Sequence, residues 1–255
     1  MAAIYTPDAV FKDIAAVLFD KDGTLAGVAA YLQQLGQLRS RLLEAQVPSV
    51  GDAVRQALGL GAQVQPGGLL AAGSRAENVA AAVACLIAAG CDRSVAQRRV
   101  TEAFAKADAA LTPKAPHTPP LVGATALIKA LDWAGVKLGI VSADSQPNVD
   151  DFVQTYRLTP YFGLVQGLSP ALPVKTEPAF WQQACRTLAV SPAQLLVIGD
   201  SATDVKLAAD SGAAGFIGVT GGWSEPAAIA TTAQFTGQAA LISHLGQILI
   251  EPSVI

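Results

Sequence analysis

The chain has 255 residues, of which 51% are hydrophobic and 15% charged, with a formal net charge of −3. So few charges beside so much apolar content exclude extended disorder, and the length suffices for a real core in one large or two modest domains. With no basic run in the sequence, a nucleic-acid partner and an anionic membrane surface are excluded as expectations.

The N-terminal stretch carries Pro7 and Asp8 where an export signal needs a basic start and an unbroken apolar run. Cys85, Cys91 and Cys185 form no CxxC pair and fit reduced thiols packed as small core residues, so a cytoplasmic protein is expected. The apolar cluster from Val79 to Cys91 falls short of the ~18 residues of a membrane span. The uncharged tail after Pro226 is interrupted by Thr231, Thr232, Gln234, Gln238 and Ser243, and no transmembrane helix is predicted.

The first apolar run, Ala15 to Phe19, reads as a buried strand ending in Asp20-Lys21-Asp22-Gly23-Thr24-Leu25. Helical patterns follow one another from there without a convincing strand. Leu32, Leu35, Leu38 and Leu42 mark one helix, and Val79, Val83, Leu86 and Ile87 mark another that stops at Gly90, a residue suited to a left-handed cap. A third is predicted to start at Ser94, with Gln97 as its capping-box partner, and to run through Val100 and Phe104. Pro113, Pro116, Pro119 and Pro120 then break any helix and read as a connection. This predicts a helical domain over residues 26–117, inserted into a core made of residues 1–25 and 118–255.

Beyond the connection, strands and helices alternate. Leu127, Ile128 and Leu131 mark a helix between Gly123 and Gly135, and Leu138 to Val141 form a strand leading into Ser142. Phe180, Trp181, Ala184, Cys185 and Leu188 line one face of a helix that starts at Pro178, with Lys175 just before it. Leu195 to Ile198 run into Gly199-Asp200-Ser201-Ala202-Thr203-Asp204, and Phe216 to Val219 form the last strand. Such alternation implies parallel pairing through right-handed crossovers, hence a Rossmann-like α/β core with helices on both faces of its sheet.

The acids fall where open α/β sheets bind ligands, just past the carboxyl ends of strands. DxDG here lacks the later acidic ligands of a calcium loop. Asp20 and Asp22 suit a nucleophile and a proton donor-acceptor attacking a phosphoryl group, an arrangement that works only if cations gather at the same point. Ser142 offers a hydroxyl for phosphoryl oxygens. Lys175 stands near a helix start, where the helix dipole gives it no support, which favours a role. Asp200 and Asp204, four residues apart, share a helical face.

Taken in order, FDKDGTL, the strand ending at Ser142, Lys175 with Pro178 three residues on, and GDSATD resemble the four signatures of the haloacid dehalogenase-like hydrolase superfamily over nearly the whole chain. The resemblance implies Asp20 as nucleophile, Asp22 as acid/base, and Ser142 and Lys175 as phosphate-binding groups. It also implies Mg²⁺ held by the Asp20 carboxylate, the Asp22 backbone carbonyl and Asp200, with Asp204 in or beside that shell. The helical insert is similar to the caps of the phosphoglycolate-phosphatase-like and β-phosphoglucomutase-like branch, which choose the substrate, and Arg75 is the candidate there for a substrate carboxylate or second phosphate. The expectation is a Mg²⁺-dependent phosphatase acting on a small phosphorylated metabolite such as 2-phosphoglycolate or a sugar phosphate. A phosphomutase and a non-catalytic binding protein that kept the fold remain open, whereas the second aspartate argues against a dehalogenase. Lys21 adds a cation at a position the resemblance leaves variable. His117 and His244 lack metal-ligand neighbours and are expected to be structural.

Overall fold

The computed structural model describes residues 1–169, 173, 175, 177–223 and 237–252. Thr231, Thr232 and Gln234 of the uncharged tail therefore lie outside the described residues. By internal contacts the chain divides into two compact units, Met1–Gly27 with Thr118–Ile255, and Val28–His117.

In the first unit, strands β1 (Ala2–Tyr5) and β2 (Val10–Ile14) precede β3 (Ala16–Phe19), and the chain returns to this unit after His117. There follow α6 (Ala124–Trp133), β4 (Lys137–Ser145), α7 (Gln146–Thr155), β5 (Phe162–Leu168), α8 (Pro178–Leu188), β6 (Leu195–Gly199), α9 (Ala202–Ser211), β7 (Gly215–Val219), β8 (Gln238–Ile242) and β9 (Leu249–Pro252). Six strands form one sheet in the order β5-β4-β3-β6-β7-β8, and every neighbouring pair is parallel. All four residues of β3 are buried, as a central strand covered on both faces requires. Ala16 and Leu18 share a cluster with Phe180, Ala184 and Leu188 of α8 and with Val205 and Ala208 of α9.

The four strands read from the sequence are present, with β4 running on through Ser142 to Ser145. The sequence reading lacks β5 and β8 at the sheet edges, where partial exposure breaks up the apolar pattern. It also lacks a small antiparallel sheet, β2-β1-β9, in which Ala2 to Tyr5 pair with Leu249 to Pro252. Lys12 and Asp13 make β2 look like a turn, and Asp13 does adopt a positive φ of 58° there.

The second unit holds α1 (Ala29–Glu44), α2 (Gly51–Ala57), α3 (Leu69–Ala72), α4 (Arg75–Ala88) and α5 (Arg93–Ala110), with no strand assigned among the described residues. Phe104 is fully buried, and the Arg39 guanidinium lies 4.4 Å from its ring centroid while meeting Asp108 at 2.8 Å. Gly90 follows α4 with a φ of 90°, as a left-handed cap demands. The start of α5 needs correction: its cap is Asp92, whose carboxylate accepts the Ser94 and Val95 N–H groups, and not Ser94. The capping box lies one helix earlier, between Ser74 and Glu77. No helix among the described residues is long and apolar enough to cross a membrane.

Candidate active site

In the six-stranded sheet, β3 is flanked by β4 on one side and β6 on the other, so the order of strands reverses around it. This switch point leaves a crevice at the carboxyl ends of the strands. Phe19 stands opposite Ile140 and Ile198, and the Asp20 N–H continues the pattern to the Ile198 carbonyl at 2.9 Å. Asp20 and Asp200 therefore follow the ends of β3 and β6, with Ser142 in the last part of the adjacent β4, each buried.

Carboxylate oxygens of Asp20, Asp200 and Asp204 lie within 4.8 Å of one another. The Lys175 ammonium donates to Asp20 Oδ1 at 2.7 Å and to the Val141 carbonyl at 3.3 Å, and it pairs with Asp204 Oδ1. Asp204 is committed on its other side, where Oδ2 accepts from the Asp200 and Ser201 N–H groups at 3.2 and 2.9 Å and from Ser201 Oγ at 2.6 Å. It sits in the first turn of α9, where the helix dipole favours an anion. Asp200 Oδ2 accepts from Trp223 Nε1 at 2.5 Å. Two glycines make the packing possible. A Cβ on Gly199 would overlap the Asp204 carboxylate, and one on Gly23, whose φ is 87°, would overlap that of Asp200.

Burial is the largest influence on these groups. It pushes the Asp20 carboxyl up to about 7, against the opposing pull of Lys175, and it raises Asp200 well above the usual range with help from Asp20 and Asp204. Burial alone would lower the Lys175 ammonium, but Asp20 and Asp204 outweigh it and hold it above the ordinary lysine value. Three buried carboxylates thus share one ammonium. That crowding of hard oxygen donors, packed closely because Gly23 and Gly199 carry no side chain, fits a small divalent cation.

Asp22 does not belong to this trio. Its side chain turns to Lys21, whose fully buried ammonium also meets Asp144 Oδ2 at 3.0 Å. Ser142 Oγ accepts the Asp144 N–H at 3.1 Å, which leaves its own proton to donate. Arg75 is the first residue of α4, capped by Ser74. Its guanidinium pairs with Asp108 and lies 5.3 Å from the Phe104 ring centroid. His117 packs at 6.4 Å from the Tyr31 ring, and the His244 N–H is held by Gln247. Sequence reasoning missed Trp223 and Asp144. Trp223 is brought to the site by close backbone packing, since a Cβ on Gly222 would strike the Gly23 carbonyl.

A doubly wound α/β domain with its acids and a lysine gathered at the switch point is a frame built to hold a ligand in that crevice. The chain belongs to the haloacid dehalogenase-like hydrolases, whose family model matches residues 14–212. It is similar in fold to a predicted phosphoglycolate phosphatase from Haemophilus somnus 129PT, with 19% identity, a TM-score of 0.63, and coverage of 90% of this chain and 94% of that one. A predicted beta-phosphoglucomutase from Thermotoga maritima has 18% identity and a TM-score of 0.63 over 92% of this chain and 96% of that one. A haloacid dehalogenase superfamily hydrolase of subfamily IA from Geobacter sulfurreducens PCA has 17% identity and a TM-score of 0.55, covering 91% of this chain and 93% of the other. No curated protein matches the sequence significantly.

Proposed function

We propose that the protein is a Mg²⁺-dependent phosphatase of small phosphomonoesters, 2-phosphoglycolate or a sugar phosphate among them, working through an aspartyl-phosphate on Asp20. The observation that carries this reading is the Lys175 ammonium held between Asp20 and Asp204 at the switch point, with Asp200 beside them. A carboxylate nucleophile facing a phosphate dianion needs such a cation, and Lys175 donates to Asp20 Oδ1. In the first half-reaction an Asp20 oxygen bonds to phosphorus, the ester P–O bond breaks, and the departing oxygen takes its electron pair and a proton from Asp22. In the second, water attacks the same phosphorus, Asp22 accepts the water proton, and the acyl-phosphate bond breaks to release phosphate and free Asp20.

Asp20, Asp200 and the Asp22 carbonyl would hold Mg²⁺, with Asp204 fixing the loop that carries Asp200. The ion supplies charge neutralisation at the transferring phosphoryl oxygens. Ser142 donates its hydroxyl proton to one of those oxygens. The helical unit selects the substrate in this reading. A phosphomutase is the rival, since the beta-phosphoglucomutase neighbour matches as fully as the phosphatase one.

The test is inorganic phosphate released from a panel of phosphomonoesters, with and without Mg²⁺, by wild type and Asp20→Asn. Mg²⁺-dependent release that vanishes in a variant that still unfolds cooperatively is the expected result. Turnover only with a bisphosphate activator, yielding an isomer in place of phosphate, would replace this reading with the mutase.

A further inference from the structure

Lys21 is fully buried, and a lysine in that position is rare unless paired. Its ammonium sits between Asp22 Oδ1 and Asp144 Oδ2, 5.7 Å from the Phe152 ring centroid. An ion triplet of this kind is weak evidence of stability, because an apolar side chain of like volume often serves a fold as well. What the charge does hold is a direction.

Neighbouring side chains on a strand point apart, but the chain curls immediately after Lys21, whose carbonyl accepts the Leu25 and Ala26 N–H groups at 2.9 and 2.8 Å. That curl swings Asp22 back beside the Lys21 ammonium. Asp144 is itself fixed, since its Oδ1 accepts from the Ser145 N–H and from Asn148 Nδ2, both at 2.8 Å, and its N–H is bound to Ser142 Oγ. The other oxygen, Oδ2, faces Lys21. A rigid line therefore runs from α7 through Asn148, Asp144 and Lys21 to Asp22. It ends on a carboxylate whose side chain keeps 26% of its surface exposed, so that Asp22 is tethered yet reachable. The two lysines divide the labour of the acidic pair: Lys175 serves Asp20, and Lys21 serves Asp22.

We propose that Lys21, braced by Asp144, is a positioning residue that fixes the Asp22 carboxylate for proton transfer to the leaving oxygen. This rests on the acid/base role proposed above for Asp22. Attack by Asp20 does not pass through Lys21, so loss of Lys21 weighs on substrates according to how much their leaving group needs a proton.

The experiment measures kcat/KM for an alkyl phosphomonoester, whose alkoxide departs only when protonated, and for 4-nitrophenyl phosphate, whose phenolate departs unaided. Both are run with wild type, Lys21→Met, Lys21→Arg, Asp144→Asn and Asp22→Asn. General acid catalysis contributes roughly 10²- to 10⁴-fold, so a misplaced acid should lower the alkyl-to-aryl ratio by about tenfold or more. Lys21→Met and, to a smaller degree, Asp144→Asn are expected to lower the ratio, and Lys21→Arg to recover part of it. Equal losses on both substrates would reduce Lys21 to a structural charge and overturn the inference. Should Lys21→Met not fold, Asp144→Asn decides by the same criterion. Asp22→Asn separates the two levels: an unchanged ratio there overturns the acid/base reading itself, while a lowered ratio there with an unchanged one in Lys21→Met sinks only the role of Lys21.

Discussion

Replacing Lys175 with methionine keeps the length of the side chain and removes the one ammonium that faces Asp20 and Asp204. Lys175 is buried, and breaking a buried ion pair by deleting one partner costs about 3–5 kcal/mol, because the other charge is left without compensation. For a chain of this size each kcal/mol moves the melting temperature by about 2–4 °C, so the variant should melt about 6–20 °C below wild type in a chelator. The deficit should depend on pH. Asp20 holds its proton up to about 7 in the fold against an ordinary value of 3.8, so the folded chain binds a proton that the unfolded chain has released across that window. Stability from this group is thus complete below the lower value and is lost as pH rises through the upper one. Without the ammonium that pulls Asp20 down, the loss extends further, and the gap between variant and wild type widens on the alkaline side. Mg²⁺ should narrow it, raising the variant's melting temperature more than that of wild type. The assay is thermal denaturation followed by circular dichroism across pH, in chelator and in Mg²⁺. A variant that melts alongside wild type in chelator, alkaline of neutrality, would refute the argument.

Gly23→Ala places a Cβ on the Asp200 carboxylate and near the Trp223 indole nitrogen, in a left-handed conformation that itself costs about 1–2 kcal/mol. Weakened Mg²⁺ affinity, read by calorimetry or by tryptophan fluorescence, is expected, and wild-type affinity would count against the assigned packing. Arg75→Ala should cost less than about 1 kcal/mol and leave KM unchanged, since its half-exposed guanidinium is engaged by Asp108; a large rise in KM would return it to substrate binding. Phe104→Ala removes a fully buried ring at a cost of about 3–5 kcal/mol, and hydrogen exchange should show protection lost within residues 28–117. Loss spread through the α/β unit instead would show that the two compact units do not open separately.

The sheet was legible where burial is complete. β3, β6 and β7 are buried at every position, and each shows as a short apolar run ending in a turn or an acid. β2 and β9 were not legible because Lys12, Asp13 and Glu251 break their runs, and β1 and β8 because strands of four or five half-buried, alanine-rich residues give no distinct pattern. At the site, residue type at a strand end was enough to pick out Asp20 and Asp200, and the four-residue spacing from Asp200 to pick out Asp204; the fold brings all three together with Lys175. The partnership of Lys21 with Asp144 could not be read, since it depends on β3 and β4 lying side by side and on the curl after Lys21. The indole bond from Trp223 to Asp200 likewise exists only through the backbone contact of Gly222 with Gly23. The spacing of Ser94 to Gln97 suggests a cap at Ser94, but the helix begins earlier because the Asp92 carboxylate takes the N–H groups of Ser94 and Val95.

The wholly apolar β3 has a consequence for the order in which the chain is made. Its neighbours, β4 and β6, are synthesised only after the entire helical unit of residues 28–117. A nascent chain would therefore carry an unpaired hydrophobic strand while the helical unit is being made, the kind of exposed edge that invites association between chains. Asp20, Lys21 and Asp22 follow that strand directly, and Lys12 and Asp13 precede it. Charges flanking a hydrophobic strand discourage its pairing with another chain. The charged residues that end β3 at the candidate site thus also discourage wrong pairing of the strand that bears them until its proper neighbours arrive.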